Sequence, residues 1–116
     1  MIWGTGTPRR EFLYVDDMAD ACVFAMTRYS DRGLLNIGTG EDIAISEFAS
    51  LVAKTVGYQG AITYDPARPD GTPLKRVDVT RMANEGWRAT TRLEDGLKKA
   101  YAAFLEEVKS GNLRLR

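Results

Sequence analysis

The sequence predicts an α/β fold, built as a small single domain of three main helices and three to four short strands. Three observations predict it. Short apolar runs alternate with stretches of helical periodicity, clusters of glycine and proline separate the two kinds of segment, and 116 residues are enough for one ordinary core and too few for two.

Taken in order, the chain opens on Trp3-Gly4-Thr5-Gly6-Thr7-Pro8-Arg9-Arg10, a loop of permissive backbone running into paired arginines, which suits the capture of an anion. Phe12, Leu13, Tyr14 and Val15 form an apolar and aromatic run expected to be a strand buried on both faces. Asp16 and Asp17 end it and cap a helix from about Asp17 to Tyr29, along which Met18, Cys22, Ala25, Met26 and Tyr29 recur at helical spacing. Ser30-Asp31-Arg32-Gly33 is a turn, and Leu34-Leu35-Asn36-Ile37 is a second strand closed by Gly38-Thr39-Gly40. Ser46 caps the next helix, with Glu47 in its first turn, Phe48, Leu51, Val52 and Val56 as its stripe, and Gly57 as its stop.

Ala61-Ile62-Thr63-Tyr64 reads as a third strand. The stretch from Asp65 to Pro73 holds three prolines and a glycine, so it is a long shaped loop. Lys75 to Val79 makes a brief strand, Thr80 caps a short turn of helix through Asn84, and Gly86-Trp87 breaks it. Thr91-Arg92-Leu93-Glu94 has the pattern of a capping box ahead of the last helix, where Leu93, Leu97, Ala100, Tyr101, Phe104, Leu105 and Val108 keep helical period. Glu94 with Lys98 and Asp95 with Lys99 are spaced to pair, each worth about 0.2–0.5 kcal/mol. The tail after Ser110 is expected to fray.

Sixteen basic residues balance sixteen acidic ones, so no general field draws the chain to nucleic acid or an anionic membrane. A ligand must be caught locally. One cysteine excludes an internal disulfide, and no apolar run reaches the length of a membrane span or signal segment, which points to a cytoplasmic protein. The absence of histidine excludes histidine-dependent triads and most zinc sites. Cys22 lies on its helix's apolar stripe without a visible base, which makes it a packing residue and not a nucleophile. No metal-ligating set and no catalytic group emerges.

Two clusters could carry chemistry: the opening loop with Trp3, Arg9 and Arg10, and the proline loop with Arg68, Asp70 and Lys75. Brought together, Arg10 would fork onto a diphosphate, Lys75 would add a point charge, Asp70 would accept from hydroxyls, and Trp3 would lie against a base or sugar. The alternative is that these charges are solvated strand flanks and the prolines only set a turn. Gly4-x-Gly6 and Gly38-x-Gly40 lack the third glycine of a dinucleotide fingerprint, since Arg9 and Ile43 stand there, and no tyrosine is followed four residues on by lysine.

The motifs from Trp3 to Asp17, from Leu35 to Gly40 and from Pro69 to Lys75, followed by Gly86-Trp87, resemble the C-terminal portion of the GDP-L-fucose synthases, within the extended short-chain dehydrogenase/reductases. The resemblance implies a substrate-binding domain over 1–116, with Trp3, Arg10, Asp70 and Lys75 contacting a GDP-sugar or GDP. It implies that the family's NADP-binding glycine motif, Tyr-x-x-x-Lys pair and acid-base residues belong to a Rossmann portion upstream of these motifs, so this chain by itself would bind no cofactor and catalyse nothing. Leu74 stands where the family commonly carries a basic residue, which implies weaker phosphate affinity. Two alternatives stay open. The chain could be an interaction or dimerisation protein that keeps the fold, or a half-enzyme completed by a separate Rossmann protein. An uncovered domain face would favour a homodimer.

Overall fold

A computed structural model describes residues 1–111; the tail expected to fray lies, from residue 112 on, outside the described residues. Nine elements follow in order: β1 (Ile2–Trp3), β2 (Arg9–Arg10), α1 (Val15–Arg28), β3 (Ile43–Ala44), α2 (Ile45–Val56), β4 (Tyr64–Asp65), β5 (Leu74–Lys75), α3 (Thr80–Asn84) and α4 (Leu93–Ser110). The α/β class and the three long helices match expectation. Among the described residues the strands number five rather than three or four, and each has only two residues.

They form two small sheets. β1 pairs in parallel with β4, setting Ile2 beside Tyr64 and Trp3 beside Asp65. In the other, β2 is central, antiparallel to β3 and parallel to β5, so Arg10 stands between Ile43 and Lys75.

The expected strand over Phe12–Val15 does not form, because these side chains are claimed by helices instead of a ladder. The Phe12 ring stacks on Phe48 of α2 with centroids 3.7 Å apart, and Tyr14 lies under Lys99 of α4 at 5.3 Å. The expected strand over Leu34–Ile37 is irregular too. Its backbone is held by side chains, with Arg81 donating to the Leu34 carbonyl at 2.9 Å, and Leu35 and Ile37 packing on the core. Of Ala61–Tyr64 only Tyr64 enters a strand, and of Lys75–Val79 only Lys75.

The caps also differ from expectation. Tyr14 and Ala44 occupy the cap positions of α1 and α2, while Asp16, Asp17 and Ser46 stand inside the first turns. At α2, Glu47 reaches back to accept from the Ala44 N–H at 3.2 Å, and Gly57, at φ 73°, closes the helix in the left-handed region as the sequence suggests. Asp78, not Thr80, steadies the start of α3 by accepting from the Thr80 N–H at 2.9 Å. No capping box forms at α4, since the Thr91 hydroxyl donates to Asp17. The i,i+4 ion pairs on α4 give way to an i,i+3 contact between Asp95 and Lys98 at 4.0 Å and one between Glu106 and Lys109 at 2.8 Å.

The core is small. Ala21 of α1, Met82 of α3 and Trp87 are buried together, flanked by Phe24, Leu35, Ile37 and Ala89, and the Trp87 indole donates to Asp20 at 2.7 Å. Helix α1 therefore turns Asp17, Ala21 and Phe24 inward. Its opposite face leaves Val15, Met18, Cys22, Val23 and Met26 exposed, which overturns the packing role expected of Cys22. No described helix is long and apolar enough to cross a membrane.

Candidate functional site

The proline loop and the opening loop meet at both ends. At one end the Thr5 N–H and hydroxyl donate to the two carboxylate oxygens of Asp70 at 2.8 and 2.7 Å. At the other the Arg9 N–H donates to the Pro73 carbonyl at 2.8 Å and the Glu11 N–H to that of Lys75 at 3.2 Å. The two candidate clusters thus lie side by side, with Arg10 and Lys75 in register.

Within this seam the four predicted residues have distinct surroundings. Trp3 is 65% exposed, and the Arg68 guanidinium sits over its ring at 4.8 Å. Arg10 is half-buried and directs one guanidinium nitrogen to the carbonyls of Arg9 and Thr72 at 2.7 and 2.6 Å, leaving its remaining donors for another partner. Asp70 spends an acceptor oxygen on each of the Thr5 donors, which makes it a fastener of the opening loop. Lys75 is exposed on β5. Arg10 lines a cavity of about 410 Å³ with Phe12, Thr39, Ile43 and the Thr90–Glu94 stretch, whereas Lys75 lines another of about 590 Å³ with Glu11, Leu13 and Ile37.

Arg9, the other half of the paired arginines, is not available to a ligand. It binds Asp42 through Nε and donates to the Asp42 carbonyl at 3.0 Å, while Arg76 approaches the same carboxylate at 3.1 Å. The hydrogen bond from Arg9, with the charges of both arginines, holds the Asp42 carboxyl below its ordinary range.

Two further carboxylates brace the loops around the site, Glu11, to which sequence reasoning gave no role, and Asp17, which it read as a helix cap. Glu11 accepts from the N–H groups of Thr39, Gly40 and Val77 at 2.5, 2.7 and 2.8 Å, and from the Thr39 hydroxyl at 3.2 Å. Burial alone would raise its pKa, but these donors outweigh it and hold the group below the usual value. Asp17, 8% exposed, accepts from the N–H and hydroxyl groups of both Thr90 and Thr91, and is likewise lowered against the opposing effect of burial. No local signal marks either role, because the donors lie 28 residues or more away along the chain.

The space a side chain would need at Gly4 is filled by Asp70, and at Gly6 by Tyr64 and by Ser46 at 3.2 Å. Among the described residues no group of three or more histidine, cysteine or carboxylate side chains could hold a metal ion.

Both the sequence and the fold are similar to those of known proteins. Residues 1–38 match the NAD dependent epimerase/dehydratase family. Over 108 residues the chain is 47% identical to GDP-L-fucose synthase 1 of Arabidopsis thaliana, covering 93% of this chain and 33% of that protein. Against GDP-L-fucose synthase of Escherichia coli the identity is 45% over 115 residues, with 91% and 36% covered. A crystal structure of a GDP-6-OMe-4-keto-L-xylo-heptose reductase from C. jejuni superposes with a TM-score of 0.83 at 35% identity, over 91% of this chain and 33% of that one. The chain spans about a third of the length of these relatives.

Proposed function

From the premise that the chain belongs to the NAD dependent epimerase/dehydratase family, we propose that it is the substrate-holding portion of a GDP-sugar epimerase or reductase, gripping the diphosphate with Arg10 and Lys75. The parallel register of those two residues carries the reading, because it sets a forked donor and a point charge on adjacent strands, so that a diphosphate laid across them would reach from the cavity Arg10 lines to the one Lys75 lines. Trp3, exposed next to this seam, offers a face for the base or sugar, and Asp70 holds the loop that presents it. In this reading the chain binds and orients the GDP-sugar for a nicotinamide cofactor, NADP(H) by resemblance, and supplies no hydride itself. We place the protein in the cytoplasm, where a single unpaired cysteine is unremarkable.

Calorimetric titration of GDP, GDP-mannose and UDP tests the reading. Heat of binding with the guanine nucleotides at millimolar concentration is expected, and silence from both would refute it.

A second reading draws support from the exposed apolar face of α1. That face suits a covering partner, either a second copy or a Rossmann-type domain. Sedimentation separates the two, and NADPH oxidation on mixing with a nucleotide-binding protein of the family would reveal completion in trans.

A further inference from the structure

We propose that Glu11 is a positioning residue for the diphosphate grip: its carboxylate ties β2, the exit of β5 and the Gly38–Gly40 turn into one unit and thereby fixes Arg10 beside Lys75. The inference rests on the reading of Arg10 and Lys75 given above. Strands β2 and β5 have two residues each, too few for a parallel ladder to hold its own register in water. A slip by one residue would set Arg10 beside Leu74, which cannot bind phosphate, or beside Arg76, which is committed to Asp42.

Glu11 supplies the missing constraint. One of its oxygens accepts from Val77, two residues past Lys75, at 2.8 Å. The other accepts from Thr39 and Gly40 at 2.5 and 2.7 Å, so the strand pair is braced against a turn from a different part of the chain. Only an ionised carboxylate offers acceptors alone; a glutamine amide would turn two N–H groups toward these donors.

The test uses the whole isotope-labelled chain with Glu11→Gln, measuring amide exchange by NMR and GDP affinity by calorimetry. The Arg9 and Glu11 amides, which bridge β2 to β5, are expected to exchange about tenfold faster or more while α4 amides keep their protection. GDP affinity is expected to fall about tenfold, and by less than about threefold when Lys75→Ala is already present, because coupled residues do not add. Unchanged exchange would overturn the proposal, as would a full loss of affinity in the Lys75→Ala background, which would mean that Glu11 touches the ligand itself. If the unaltered chain binds no GDP, the proposed function fails and the exchange measurement alone decides the role of Glu11. Should Glu11→Gln not fold, Glu11→Asp, whose shorter arm cannot span the same donors, is read by the same criteria.

Discussion

Asp17 receives four hydrogen bonds from Thr90 and Thr91 while nearly buried, so its replacement by alanine strands those donors and is expected to cost about 1–3 kcal/mol in urea denaturation. Its ionisation also shapes the acid limb of stability. Glu11, Asp17, Asp42 and Asp78 all titrate below their ordinary values in the folded chain. As pH falls, the unfolded state takes up protons first, at about pH 4. Their contribution is therefore complete above that point and is lost as pH drops through the lower folded-state values. The urea midpoint should stay level from about pH 7 to 5 and decline below about pH 4, less steeply in Asp17→Asn; a decline already between pH 7 and 6 would contradict the assignment. Arg10→Ala and Lys75→Ala should each weaken GDP binding about tenfold to a hundredfold with the far-UV circular dichroism retained. Neither Glu11 nor Asp17 could have been placed by reading the sequence, which shows a capping residue wherever an aspartate precedes a helix and cannot show that its acceptors point to a loop 73 residues later.

The elements divide by how local their causes are. Helices α1, α2 and α4 were legible because an apolar period sustained over 12 to 18 residues is a property of each segment alone. Strands of two residues carry no such period, and their existence depends on a neighbour brought in by the rest of the fold. The Phe12–Tyr14 run shows the failure in detail, since its hydrophobicity is satisfied by Phe48 and the edge of α4. Short α3 matters more than its five residues suggest. It carries Met82, the largest side chain buried almost completely, between α1 and Trp87. Met82→Ala should cost about 2–5 kcal/mol and, with so small a core, leave little cooperative melting in calorimetry.

Across the molecule, the radius of gyration is 16.8 Å, against about 13 Å for a self-contained domain of this length. Among the described residues fifteen large apolar ones are exposed, five of them along or next to the two loops that form the seam or on its strands, and four more on α1. Such a surface favours association, and sedimentation at rising concentration should show species heavier than one chain. Met18→Glu with Met26→Glu should suppress them without lowering the thermal midpoint, because neither side chain contributes to the core. Cys22 gives that uncovered face a unique chemical handle. As the molecule's sole sulfhydryl, open to water at mid-helix, it would accept one maleimide dye per chain, and the speed of that alkylation would gauge, from moment to moment, how far another surface shields α1.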